Sequence, residues 1–261
     1  MYDFEFVKVG SLAEAVAALK AEGAQALGGG QTLIPTLKQR LAQPAKLVSL
    51  TGIAELVGVS ASDGVLSVGG ATTHAQVARE ATAYPALAEL ASHIGDPAVR
   101  NRGTIGGSLA NDDPAADYPA GVLGSGATVV TNAREIAADD FFRGLFETAL
   151  EEGEIITAVR FPIPQKASYQ RFAQPASRFA LTGVFVAQYA DGVRVAVTGA
   201  SENGVFRWSD AEAALSSSFA PEAVDGLSVS PDGLIGDLHG TPEYRAHLVK
   251  VLTRRAVAAA G

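Results

Sequence analysis

Three glycines in a row, Gly28-Gly29-Gly30, stand between a short apolar run, Ala24 to Leu27, and a helical pattern, Leu33 to Leu41. Bare backbone of this kind loses more conformational freedom on folding than any other sequence, so it is kept where something needs the chain uncovered. A strand, a glycine turn and a helix start bring free N–H groups and the positive end of a helix dipole to one spot, which suits an anion. Gln31 and Thr32 complete the loop. No Gly-Lys-Ser/Thr follows and the GxGxxG spacing is absent, so the loop is neither a Walker A motif nor the dinucleotide fingerprint. The plainer alternative is a structural turn.

A second stretch repeats the theme. Gly95 to Asp117 reads GDPAVRNRGTIGGSLANDDPAAD. Successive N–H groups around Thr104-Ile105-Gly106-Gly107 can form an anion-binding concavity. Thr104 and Ser108 add hydroxyls, and Arg100 and Arg102 put positive charge just upstream. One paired glycine is commonly a tight turn between strands. Two such loops in one chain point to phosphate cradling by backbone and hydroxyl groups.

The rest of the chain alternates helices and strands. Ser11 and Glu14 form a capping box for a helix running to about Glu22. Ser62-Asp63-Gly64 and Asp191-Gly192 are hairpin signals. Thr73 caps a helix that begins at His74, and His74 is expected to be a surface or packing histidine. Val122 to Thr131 is apolar and strand-like, and Ile155 to Phe161 is a strand. Pro162 and Pro164 exclude a central strand or helix interior and mark the best domain boundary. Thr241 caps a last helix with Pro242 at its first position. Its basic residues, Arg245, Lys250, Arg254 and Arg255, are expected on a solvated face, those near its end suiting the dipole.

Composition removes several classes. The 261 residues are 48% hydrophobic, enough for a large core, and the net charge of −8 argues against nucleic acid as a partner. With no cysteine, the chain has no disulfide, no thiolate nucleophile and no Cys-ligated zinc or iron–sulfur cluster. His74, His93, His239 and His247 show no metal-ligand spacing. The N-terminus lacks a signal-peptide pattern, and no apolar run has the length for a transmembrane segment; a cytoplasmic protein is expected.

The ordered set of motifs resembles the FAD-binding medium subunit of the molybdenum hydroxylases, the family of xanthine dehydrogenase and aerobic carbon monoxide dehydrogenase. Gly28 to Thr32, GGGQT, stands where that family has AGG(H/Q)S. VRNRGTIGGSLANDDPAADYPA matches RNxGTIGGNxAxADPxxDxP, with Ser108 for the usual asparagine and Asp112 for a common alanine. Gly153-Glu154-Ile155 and Glu243-Tyr244-Arg245 match in the same order along the chain.

The resemblance implies an α+β fold: a two-lobed FAD-binding domain of PCMH type over 1–165, with lobes of about 1–52 and 53–165. A small α+β domain with a short antiparallel sheet, of the carbon monoxide dehydrogenase flavoprotein C-terminal type, follows over 166–261. It implies non-covalent FAD. The first pyrophosphate loop matches Gly28, Gly29, Gly30, Gln31 and Thr32, with Leu33 packing near the flavin. The second matches Thr104, Ile105, Gly106, Gly107 and Ser108. Asn111 and Asp117 match polar FAD contacts; Asp117, repelled by phosphate, suits a cofactor hydroxyl. Ile156 matches a ring or adenine contact. Phe179 stands where a tyrosine is common beside the isoalloxazine and can stack without hydrogen bonding, and Ala173 replaces a frequent lysine.

The implied function is electron transfer. FAD on this chain would take electrons from [2Fe–2S] clusters on a small iron–sulfur subunit, fed by the molybdenum cofactor on a large subunit, and pass them to quinone, NAD+ or oxygen. A dimer of heterotrimers is the family's usual form. No general acid, base, nucleophile or metal ligand is expected in this chain. Two other classes stay open at this point: a stand-alone FAD-dependent oxidoreductase, and a non-catalytic nucleotide-binding assembly module.

Overall fold

A computed structural model describes residues 1–260. The chain begins with a small parallel sheet. β1 (Glu5–Lys8), α1 (Leu12–Leu19), β2 (Ala24–Leu27), α2 (Leu33–Lys38) and β3 (Lys46–Ser49) alternate, and the strands lie in the order β1-β3-β2. Central β3 is the apolar one, with Leu47 and Val48 buried. Ser11 caps α1 by accepting the Glu14 N–H, while the Glu14 carboxylate reaches one residue further back, to the Gly10 N–H at 2.8 Å. The serine thus satisfies an orphan donor of the first turn, and the glutamate ties down the residue before the cap. α1 stops three residues short of the expected end.

The next unit is an antiparallel sheet with helices inserted in its middle. β4 (Val59–Ser62) and β5 (Val65–Gly69) form the expected hairpin, with Asp63 and Gly64 both at positive φ as a type I′ turn requires. Then come α3 (His74–Glu80), α4 (Pro85–Ser92), α5 (Pro97–Arg100), α6 (Ile105–Asn111) and α7 (Asp117–Gly124). β6 (Thr128–Thr131), β7 (Glu135–Ala137), α8 (Ala138–Phe141) and the small ribbon β8 (Phe142–Gly144) and β9 (Glu147–Thr148) lead to β10 (Ile156–Pro162). Strand order is β4-β5-β10-β6-β7, so the last strand made occupies the centre. Pro162 is tolerated there because it ends the strand, opposite Val65 of β5 and beyond the last residue paired with β6.

One expectation fails in this unit. Val122 is not in a strand: α7 runs through Gly124, and only Thr128 to Thr131 is extended. Every residue of α7 is buried, so it has no polar face to betray a helical period. Small residues let it lie close to its neighbours: a Cβ on Gly121 would meet Leu90 at 2.9 Å, and one on Gly124 would meet Phe185 at 3.0 Å.

The last sheet is antiparallel, in the order β11 (Lys166–Arg171), β12 (Gly183–Tyr189), β13 (Gly192–Thr198), β14 (Phe206–Arg207), followed by α9 (Ser209–Ser217) and α10 (Pro242–Ala259). It is covered on both faces. Tyr169, Phe185, Ala187 and Ala196 join the core built on α4 and α7. Val184, Val186, Val195 and Val197 face a second core under α9 and α10. Two-sided burial explains why β12 is apolar without alternation. The α+β class expected from the resemblance therefore holds.

α10 corrects the picture of a solvated basic face. Arg245 is buried, and its guanidinium donates to the carbonyls of Leu181 and Gly199, each at 2.6 Å, and to Asp237 at 2.8 Å. Arg254 pairs with Asp225, and no basic residue occupies the helix's last turn.

Candidate functional site

The first glycine loop leaves the C-terminal end of β2 and enters α2, the place where open α/β sheets take ligands. Its amides are free: among the described residues, no backbone N–H from Gly28 to Leu33 donates a hydrogen bond within the protein. The Thr32 hydroxyl makes no capping bond either. Buried or half-buried amides without partners are costly, and a run of them pointing out of one turn is an anion nest.

The second loop is different. Ile105 N–H donates to Thr72 O, Gly106 N–H to Gly70 O at 2.8 Å, Gly107 N–H to Thr104 Oγ1 at 3.2 Å and Ser108 N–H to Thr104 O. Its amides are spent on holding α6 in place, so it supplies a surface and hydroxyls, and the expected concavity of free N–H groups exists only in the first loop. Thr104 is the N-cap of α6.

The glycines are explained in the same way. A Cβ on Gly29 would lie 1.8 Å from the Arg102 carbonyl oxygen and 2.6 Å from Gly103 Cα. One on Gly28 would lie 2.8 Å from Thr104 Oγ1, and one on Gly106 2.6 Å from Gly70 O. Gly29 and Gly106 are bare so that backbone can pack on backbone, and Gly28 so that the Thr104 hydroxyl can approach. Gly107 is less hemmed in, meeting Thr104 Oγ1 at 3.0 Å and no backbone.

Between the loops lies a cleft of about 710 Å³, in the usual range for cofactor sites. Gly28, Gly29, Gly30, Gln31, Thr32 and Leu33 line it from one side. Thr104, Gly106, Gly107, Ser108 and Asn111 line it from the other, and Asp117, Ile156 and Phe179 complete the wall. Ile105 does not belong to it: its side chain is wholly buried in the core beneath α6, the face opposite the cleft. Phe179 is 45% exposed at the rim. Ala173 does not line the cleft, but its neighbours Gln174, Ser177 and Arg178 do.

Several titratable groups in or near the walls were not assigned to the site by sequence. Glu154, on the cleft wall, accepts from Thr131 Oγ1 at 2.6 Å and from Arg134 at 3.1 Å; burial pushes its carboxyl up, but the Arg134, Thr131 and Glu151 hydrogen bonds bring it down to about 2. His74 packs on Tyr118, as a packing histidine should, and also forms part of the wall. Burial, with Arg100 nearby, lowers its pKa to about 4, so it is neutral at working pH. Asp113 and Arg178 were legible only as charges beside the residues already named.

Asp112, next to the cleft, caps α6 at φ +43° with both carboxylate oxygens buried and unpartnered. Burial, then the Asp113 charge, raises its pKa from 3.8 to about 7. A folded pKa above the unfolded one favours the fold fully below pH 3.8, and that contribution is lost as pH rises through 7. The shift corresponds to about 4 kcal/mol of stability lost between acid and alkaline pH. Asp112→Asn, which keeps a side chain tolerant of this backbone region, is expected to flatten that slope. Urea midpoints of both proteins at pH 5 and pH 8 measure it, and a slope unchanged by the substitution refutes the assignment.

Comparison with known proteins bears on the same cleft. A family model described as the FAD binding domain in molybdopterin dehydrogenase matches residues 2–164. The nicotine 6-hydroxylase medium subunit of Paenarthrobacter nicotinovorans is 36% identical over 257 residues, covering 92% of this chain and 90% of that one. The carbon monoxide dehydrogenase medium chain of Afipia carboxidovorans is 32% identical over 274 residues, covering 97% and 95%. Among solved structures, a chain of the Hydrogenophaga pseudoflava carbon monoxide dehydrogenase lacking the Mo-pyranopterin moiety superposes with a TM-score of 0.88 at 32% identity, covering 99% of this chain and 97% of that one. Quinoline 2-oxidoreductase from Pseudomonas putida 86 gives 0.87 at 31% identity, covering 98% and 96%.

Proposed function

We infer the function from a plain premise: the chain belongs to the FAD-binding medium subunits of the molybdenum hydroxylases, and is an FAD-binding component of an oxidoreductase. The observation that carries the reading is the run of free amides from Gly28 to Leu33, opening into a cleft of about 710 Å³. Such a nest fits a pyrophosphate without lysine, and the long cleft beyond it fits the rest of a dinucleotide.

The residues have separable tasks. Gly28 to Thr32 hold the diphosphate by N–H donation, with the Thr32 hydroxyl as a further donor. Thr104, Gly107, Ser108 and Asn111 form the facing wall. Leu33, Ile156 and Phe179 give apolar surface for planar rings and keep water from them. The redox chemistry belongs to the bound FAD: electrons arrive from [2Fe–2S] clusters of a small partner subunit, fed from molybdenum on a large one, and leave to quinone, NAD+ or oxygen. In this reading 1–165 form the FAD-binding domain, with lobes 1–52 and 53–165, and 166–261 the C-terminal domain of a dimer of heterotrimers. No described helix is long and apolar enough to cross a membrane.

An absorption spectrum of the purified chain after incubation with FAD and desalting tests the reading, with the co-purified complex as the second sample. Flavin bands released by acid precipitation are expected. Gly107→Val adds a branched side chain to the cleft wall while its Cβ presses on the Thr104 hydroxyl and on no backbone, so it should fold and lose the flavin. Wild-type FAD affinity in that variant, or a complex that takes up no flavin at all, would refute the assignment.

A further inference from the structure

The cleft wall and the last sheet meet at one buried ion pair. Asp117 opens α7 and lines the cleft, with its side chain 2% exposed. Its Oδ1 accepts from the Tyr169 hydroxyl at 2.6 Å and from Arg171 Nη1 at 3.0 Å. Its Oδ2 receives only that same Nη1, at 3.3 Å. Tyr169 and Arg171 are two apart on β11, so one face of the strand presents both.

Packing alone does not call for this arrangement. Apolar side chains of similar volume commonly stabilise such a site as well or better than a buried ion pair. Burial, and then the Asp117 charge, push the Tyr169 phenol well above its ordinary range, so it is a donor at any working pH. The guanidinium and the phenol together hold the carboxylate in one orientation. Both strong bonds go to one oxygen. The other keeps lone pairs that can only accept.

We propose that Arg171 and Tyr169 are positioning residues for the cofactor: from the C-terminal sheet they fix the Asp117 carboxylate in the cleft wall, where its freer oxygen accepts a hydrogen bond from a donor group of bound FAD. The proposal rests on the FAD reading above. It makes the last sheet part of the cofactor site although only Asp117 of the three residues lines the cleft.

The test is the FAD dissociation constant of the full chain, or of its purified complex. In Arg171→Met the buried carboxylate loses the partner that holds its orientation, so binding should weaken roughly 10- to 100-fold. Arg171→Lys should recover most of the loss, and Tyr169→Phe should weaken binding about three- to tenfold. Asp117→Asn should weaken binding as well, and adding Arg171→Met to it should weaken binding little further, because Arg171 acts through that carboxylate. Folded Arg171→Met with wild-type affinity overturns the proposal and leaves the FAD reading standing. If Arg171→Met does not fold, Arg171→Lys and Tyr169→Phe both binding as wild type overturn it. Wild type that takes no FAD, alone or in complex, overturns both readings together.

Discussion

Gly29→Ala is expected to abolish FAD binding and to destabilise the chain by about 3 kcal/mol or more, the upper range for overpacking, because the obstacle is backbone that no rotamer change can move. The added methyl would sit 1.8 Å from the Arg102 carbonyl oxygen. Either the loops part, which splays the cleft, or the chain before α6 shifts and takes Thr104 with it. Gly107→Ala is the matched control, since its methyl meets only Thr104 Oγ1 at 3.0 Å. It should cost far less stability than Gly29→Ala, because the atom it meets is a side-chain hydroxyl, and still weaken FAD binding. Urea unfolding and FAD titration of the pair give the comparison. Equal stability of Gly29→Ala and wild type would show that the loops do not depend on this contact.

The second large effect is expected at a residue that does not line the cleft. Arg245→Met should cost about 3–5 kcal/mol, since it strips two buried carbonyls of their donor and frees Asp237 of its partner. The carbonyls belong to Leu181, just before β12, and Gly199, just after β13, so α10 would lose its polar clamp on the ends of the two central strands. Arg245→Lys should recover only part of this, because one ammonium cannot span three acceptors in the fork geometry of a guanidinium. Urea unfolding measures the loss. A variant within about 1 kcal/mol of wild type would mean that water replaces the guanidinium without penalty.

Which features the sequence disclosed follows from their range. Caps and hairpins are set by residues two to four apart, so Ser11, Thr73, Thr241 and the Asp63-Gly64 turn were all legible, as was Pro242 at a helix start. α7 was not, because its helical period is hidden when every face is buried. Nor was the burial of Arg245, since a basic residue on a long helix looks alike whether it meets water or a carbonyl.

The same limit applies to the cleft. That two glycine loops belong together could be read from their kind and from the family resemblance. Which glycines serve the ligand and which serve the neighbouring loop could not, because the difference lies in what a Cβ would strike: Arg102 O for Gly29, Gly70 O for Gly106 and little for Gly107. Ile105 was drawn into the site by its place in the motif, yet the α6 period turns it into the core.

The strand order β4-β5-β10-β6-β7 has a consequence for how the molecule comes into being. A chain leaving the ribosome can complete its first parallel sheet once Ser49 is out, glycine loop included. That loop then has no opposite wall until Gly107 has emerged. The central sheet stays two separate hairpins until Ile156–Pro162 arrives to join them. On the FAD reading, cofactor capture then comes late in the life of each nascent chain, and a ribosome stalled before Gly107 has emerged would hold a complete first loop with nothing built for it to face.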